Sequence, residues 1–320
     1  MSSHLYESCY KDQPAMTLES DVLRAQFLPG TGAKMASLVY KPREFELLVQ
    51  GPGDTYLTQP FGGEYVAGEC AGFDDMFPTI DRCYCDQYPW QGIEMADHGE
   101  VWSLPWDLRT GADHIELGVH GVRFPYRLEK RVGFRRESTL RLDYRLTNLS
   151  PFDLDFVWAA HMMVNLEPAV ELVLPDGVSA VVATFDVTGS FGRYGDVFDW
   201  PVATLPDGTR RDLRWLRPKS ARDAYKYYVK DALPEGWCRL RYHRSQFALA
   251  LAFPVAQVPY LGVLPNEGGW RDYYNIFLEP CTAPFDRPDA ARYRGQGSTL
   301  KAQSTYEWFL EISLSDGVRE

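Results

Sequence analysis

From Leu140 to Thr147 the chain alternates, with Leu140, Leu142, Tyr144 and Leu146 on one face and Arg141, Asp143, Arg145 and Thr147 on the other. A two-residue period of this kind marks a strand with one wet face. Ile115, Leu117 and Val119 repeat the pattern, and so do Tyr126, Leu128, Val132 and Phe134 against Arg127, Glu129 and Arg131. So, near the end, do Tyr306, Trp308, Leu310, Ile312 and Leu314 against Glu307 and Glu311. Shorter runs predict strands at 22–27, 35–40, 226–229, 238–242, 247–253 and 260–264. The run Phe156–Val164 is apolar on both faces except at His161, which predicts a buried strand. Breaker-rich stretches at 41–64, 69–90 and 185–222 read as loops, and residues 1–20 as a polar lead-in. No long amphipathic helix, repeat or low-complexity segment interrupts the series. Strands in succession without interleaved helices predict an all-β fold, a large antiparallel β-sandwich with few short helices, as one domain spanning 1–320.

Composition narrows the function. The net charge of −11 argues against a nucleic-acid partner, which needs clustered Lys and Arg. No apolar stretch approaches the ~18 residues of a membrane helix. The N-terminal segment lacks a signal-peptide run, so a cytoplasmic protein is expected, with no membrane partner. Six scattered cysteines fit reduced thiols. Cys83 and Cys85 have no second close Cys or His pair to complete a metal site, so no metal or other cofactor is expected. Aromatic residues make up 14% of the chain, which suits both packed sheets and sugar-binding clefts.

The candidate chemistry lies in a few places. In Tyr273–Pro284, Pro280 cannot donate to a ladder, so Glu279 is read as the last strand residue before a forced exit. It shares a face with Tyr273, Asn275 and Phe277. A carboxylate there is either a base in a polar cleft or a solvated charge at a strand end. His161, buried in its apolar run, either has a structural acceptor or faces a cleft, because an unpartnered imidazole is costly to bury. The segment 72–82 sets Asp74, Asp75 and Asp81 beside Phe73, Phe77 and Arg82, which either line a cleft or cap local backbone. His98 precedes Gly99, which removes bulk where a ligand could approach. Dinucleotide, P-loop and nucleophile-elbow signatures are absent.

Taken in order, these pieces resemble the aldose 1-epimerase (galactose mutarotase-like) family. The resemblance runs from about Val22 to Leu314. It rests on 28–38 (Leu-Pro-Gly-Thr-Gly-Ala-Lys-Met-Ala-Ser-Leu), His98-Gly99 with Trp102 and Trp106, and Phe124-Pro-Tyr126. It continues through Asn148, His161-Met-Met-Val-Asn-Leu166, Leu278-Glu-Pro280 with Thr282-Ala-Pro284, and Gly295-Gln-Gly-Ser-Thr-Leu300. It implies a curved β-sandwich that binds a monosaccharide, as a monomer or homodimer, and interconverts its α and β anomers without a cofactor. By the same resemblance Glu279 is the general base on the anomeric hydroxyl, His161 the general acid on the ring oxygen, and His98 a sugar ligand. Asp75, Asp81, Arg82, Trp102, Lys226 and Tyr273 complete the expected substrate-binding set.

The chain departs from the family pattern after His161, where Met163 and Val164 stand, and in the early region, where 72–82 replaces an Asn-Arg pair. Glu100 and Val101 follow His-Gly in place of the Arg of the hexose-phosphate branch, and Asp74, Asp75 and Asp81 would repel a phosphate. A neutral sugar is therefore expected. The competing readings are a non-catalytic sugar-binding protein, and a glycoside hydrolase pairing Glu279 with Asp75 or Asp81.

Overall fold

A computed structural model of the chain describes residues 3–317. Two large antiparallel sheets carry the fold. The first has twelve strands, and its path runs Ser3–Tyr10, Gln13–Ser20, Leu23–Leu28, Lys34–Tyr40, Phe73–Met76, Ala159–Asn165, Tyr274–Cys281, Tyr260–Glu267, Asp223–Val229, Ala180–Asp186 and Val197–Asp199. Phe45–Glu46 pairs with Lys34–Tyr40 to complete it. The second has eight strands and contains the three most clearly alternating segments, Tyr126–Arg136, Thr139–Asn148 and Thr305–Asp316, side by side.

The alternation fixes which way each strand lies. Leu128, Val132, Leu140, Leu142, Leu146, Leu310 and Ile312 are fully buried in one core shared with Phe27, Leu38, Met162, Ile276 and Leu278 of the first sheet. Side chains from the two inner faces interdigitate, as in any face-to-face sandwich. The opposite face of the second sheet is wet and laced with ion pairs, including Arg141 with Glu311 at 2.8 Å. The single α-helix among the described residues, Pro288–Tyr293, is short. No helix among them is long and apolar enough to cross a membrane.

Two expectations are corrected. Residues 3–20 are not a lead-in but a hairpin in full register, Ser3 opposite Ser20 through Tyr10 opposite Gln13, whose second strand buries Ala15, Met16 and Leu18. Its polar outer strand masks it from a hydrophobicity reading. The segment Phe73–Met76 is not a loop but a first-sheet strand, buried along its whole length despite two adjacent aspartates.

Those aspartates show how a charge can enter a sandwich. Neighbouring strand residues point to opposite faces. Asp75 therefore points at the second sheet, where Lys130 lies 2.8 Å away and the Trp158 indole N–H donates to it at 3.0 Å. Lys130 occupies the apolar face of its strand, between Leu128 and Val132, and also donates to the Ala33 carbonyl at 2.7 Å. Both charged side chains are almost wholly removed from water. A buried pair gives little net stability over an apolar replacement, but removing one partner strands the other. Asp75→Ala is thus expected to cost ~3–5 kcal/mol, with Asp75→Leu combined with Lys130→Met recovering most of it, read by urea denaturation. A loss below ~1 kcal/mol for the single variant would mean the pair does not hold the sheets together.

Candidate functional site

The site lies on the face of the first sheet turned away from the second, and register builds it. Asp74 pairs with His161 across the Phe73–Met76 and Ala159–Asn165 strands. Between Ala159–Asn165 and Tyr274–Cys281 the ladder pairs Ala159 with Cys281 and Met162 with Leu278, which sets His161 directly opposite Glu279. Glu279 in turn pairs with Gly262, and Gly262 with Tyr228. Directly opposed residues share a face. One row therefore crosses five strands: Asp74, His161, Glu279, Gly262, Tyr228. Lys226, two residues before Tyr228, points the same way.

Gly262 is the gap in this row. A Cβ there would sit 3.2 Å from Glu279 Oε2 and 3.0 Å from the Tyr228 ring. Its absence lets the Glu279 carboxylate lean across the Tyr260–Glu267 strand to Lys226 Nζ, 2.6 Å from Oε2. Lys226 is also 2.6 Å from Asp286 Oδ1, which accepts the Tyr228 hydroxyl at 2.6 Å. His161 Nε2 stands 3.9 Å from Glu279 Oε1. Glu279 is fully buried; Oε2 is engaged by Lys226, but Oε1 has no hydrogen-bond donor, and His161 Nδ1 is likewise unpartnered. Buried polar atoms are normally satisfied, so these two call for an explanation.

The hollow in front of them has a volume of about 230 Å³. Trp270, Phe277, Leu264, Tyr65 and Ile80 supply apolar walls, with His98, Asp81 and Asp286 around them. That volume lies below the ~300 Å³ at which drug-sized pockets begin. It suits one small ring. A larger, open groove of about 980 Å³ lies on the wet side of the second sheet, lined by arginines and acids such as Arg141, Asp143 and Glu129.

Burial dominates the electrostatics. It pushes Glu279 above the usual carboxylate range, with Lys226 pulling against it. It drives His161 well below its usual value, and the neighbouring His98, Lys226 and Lys34 push the same way. Desolvation also opposes the Lys226 ammonium, but the Asp286 and Glu279 carboxylates outweigh it and hold its pKa up. The imidazole is thus biased towards its neutral form and Lys226 towards its ammonium form.

Of the residues expected at the site, Glu279, His161, His98, Asp81 and Lys226 line this hollow. Asp75 does not: it faces the core, so it contacts no ligand there and forms no hydrolytic pair with Glu279. Arg82 is exposed and pairs with Glu94 at 3.4 Å. Trp102 is buried one layer back, edge-on to Tyr65 and bonded to the Asp97 carbonyl. Tyr273 packs against Trp270 and is not part of the lining. Gly99 makes room for protein, not ligand, since a Cβ there would strike the Phe77 carbonyl at 2.1 Å. Pro280 does not end its strand, which runs on to Cys281. It opens the ladder locally, beside Glu279.

Three contributors escape a sequence reading. Tyr65 stacks on His98 with ring centroids 4.2 Å apart, lies edge-on to His161, and donates to Asp74, which pairs with Lys34 at 2.9 Å. Asp286 follows Phe285, both with left-handed backbone (φ 61° and 71°), a conformation uncommon outside glycine. Trp270 is pinned by two hydrogen bonds to Asn266, so the Asn-Glu-Gly-Gly-Trp turn was its only signal.

No family model and no curated protein matches the sequence. Solved structures do match over nearly the full chain. The Slr1438 protein from Synechocystis sp. PCC 6803 is 16% identical with a TM-score of 0.69, covering 97% of this chain and 98% of its own. A galactose mutarotase-like protein from Lactobacillus casei is 18% identical with a TM-score of 0.63, covering 94% and 100%. Another galactose mutarotase-like protein, from Clostridium acetobutylicum, is 12% identical with a TM-score of 0.66, covering 98% and 99%. Identities this low speak for architecture alone, and the architecture they give this chain is the galactose mutarotase-like β-sandwich.

Proposed function

We propose that this chain is an aldose 1-epimerase-type enzyme that interconverts the α and β anomers of a free, neutral monosaccharide without a cofactor. The observation that carries the reading is the buried Glu279 carboxylate, its Oε1 without a hydrogen-bond donor, opposite His161 in a hollow sized for one ring. A sugar hydroxyl supplies the missing donor. Its apolar face suits Trp270 and Phe277.

Anomer exchange removes the proton of the anomeric hydroxyl and delivers one to the ring oxygen. The C1–O5 bond breaks, the aldehyde rotates about C1–C2, and the ring closes on its other face. Glu279 is the base. His161 is the acid on the ring oxygen, His98 holds a sugar oxygen, and Asp81 meets the sugar nearer the opening. The cation within reach, Lys226, is already engaged by two carboxylates, so an anionic sugar finds no free partner there. The small volume favours a monosaccharide over an oligosaccharide.

Glu279→Gln is expected to lower the exchange rate by ~10²–10⁴-fold while the circular dichroism spectrum is kept. Proton NMR of freshly dissolved pure anomers measures this, and wild-type rates equal to buffer across a panel of aldoses would refute the enzyme reading for those sugars. Trp270→Ala is expected to raise KM about tenfold, equivalent to ~1.4 kcal/mol of lost contact, with a smaller change in kcat. An unchanged KM would take Trp270 off the sugar.

A further inference from the structure

We propose that Asp97 is a positioning residue for His98: it keeps the imidazole proton on Nδ1, so that Nε2 meets the sugar as a hydrogen-bond acceptor and demands a hydroxyl there. The proposal rests on the reading of this hollow as an anomer-exchanging site and deepens it by fixing what His98 recognises.

The backbone comes first. The turn Ala96–Gly99 closes with the Gly99 N–H donating to the Ala96 carbonyl at 2.9 Å, and His98 sits in the left-handed region at φ 58°. That conformation is uncommon for a residue with a side chain and persists where the surroundings enforce it. Here the His98 N–H donates to the Ile80 carbonyl, and the ring is held on three sides. Its Nδ1 lies 2.9 Å from Asp97 Oδ1, Tyr65 stacks on it at 4.2 Å between centroids, and His161 stands edge-on at 5.2 Å. With Nδ1 committed to Asp97, Nε2 is the nitrogen left for the hollow that His98 lines.

Asp97 is fixed in its turn. Its Oδ2 accepts the Tyr65 backbone N–H at 2.7 Å, and its carbonyl accepts the Trp102 indole N–H at 3.0 Å. Burial works against this carboxylate, but the His98 hydrogen bond and charge and the Tyr65 N–H outweigh it and hold its pKa below the usual range. An ionised carboxylate can only accept, so Nδ1 carries the proton, and in the neutral ring Nε2 is then an acceptor. A second proton on Nε2 would set a cation against His161, which needs a proton of its own to serve as the acid.

The consequence is a preference that shape alone would not give. A site built to hydrogen-bond a substrate hydroxyl rejects the analogue lacking it, because its own polar group is left unpaired. His98 Nε2 therefore selects for a hydroxyl donor at one position of the sugar. Asp97 makes that choice without touching the sugar itself.

Asparagine at this position reverses the tautomer at unchanged size. The Tyr65 N–H is a fixed donor, so the amide oxygen of Asp97→Asn stays on it and the NH2 turns to His98. Nδ1 must then accept, and the ring proton moves to Nε2, the fault that an Asp-to-Asn change produces behind any carboxylate-oriented histidine.

The experiment records nitrogen-15 correlation spectra of the histidine rings without substrate, His98 being the ring lost in His98→Gln. Thermal melts check folding, and proton NMR of fresh anomers gives kcat and KM for aldoses and their monodeoxy analogues. The neutral His98 ring is expected to carry its proton on Nδ1 in wild type and on Nε2 in Asp97→Asn. KM should rise about tenfold or more in Asp97→Asn with a smaller change in kcat. One monodeoxy sugar should bind wild type equally poorly and be indifferent to the substitution, a coupling that a merely loosened turn does not produce. A neutral wild-type ring protonated on Nε2 would overturn the assignment, and this arm decides it even if Asp97→Asn fails to fold. So would an Asp97→Asn that keeps the wild-type tautomer or KM, or a KM penalty equal for every deoxy sugar. These outcomes leave the anomer-exchange reading standing. A wild type no faster than buffer would remove that reading and the sugar subsite with it, whatever the spectra show of the ring.

Discussion

A carboxylate stripped of water needs a cation or several hydrogen-bond donors, and Glu279 has a cation because Lys226 reaches it across a strand with a glycine at the crossing point. The site follows from that contact. Lys226 is held in turn by Asp286, whose left-handed backbone belongs to the loop that follows the Glu279 strand. The same loop closes on the other wall of the hollow, where the Asp286 carbonyl accepts the backbone N–H groups of Ile80 and Asp81. The ion pair thus ties the central strands to the loops that shape the opening. What remains unsatisfied, one carboxylate oxygen and one imidazole nitrogen, faces a space where a polar ligand fits.

The first sheet has two jobs, and Asp74 and Asp75 divide them. One residue apart, they point to opposite faces. Asp75 closes an ion pair with Lys130 between the sheets. Asp74 sits behind the hollow, bonded to Tyr65 and paired with Lys34, in the row that contains His161 and Glu279. Tyr65 carries that support forward, with its ring against both His98 and His161. Rings locked by packing and by a buried network keep a site in one geometry, which is what preorganisation requires.

Much of the fold was legible because a strand's period states its own orientation. The segments at 115–119, 126–134, 140–147 and 306–314 are strands of the second sheet, with the expected residues buried and Tyr306 partly so. Local pattern also put an imidazole in an apolar strand at 161 and a carboxylate at 279, and ladder register sets them opposite each other. Period alone could not say which of two adjacent aspartates looks inward, because that depends on which face of the strand the second sheet covers. It could not read the hairpin at 3–20, whose outer strand is wet. Pro280 was legible as a missing donor but not as a local opening within a strand that continues. Asp286, Tyr65 and Trp270 sit on loops whose paths are set by distant contacts, so their place at the site leaves almost no local trace. Lys226 looked like a ligand contact, whereas its two carboxylate neighbours arrive from sequence positions 53 and 60 residues downstream.

Convergence of Glu279, His161 and Lys226 on one ring-sized hollow is the claim that everything functional depends on. A crystal of this chain soaked in a mixed panel of neutral monosaccharides tests it most directly. The predicted result is density for a single pyranose between positions 161 and 279, its C1 and ring oxygen facing Glu279 and His161 and its apolar face against Trp270. A sugar seated instead in the arginine-lined groove of the second sheet, with the hollow left without sugar, would contradict it.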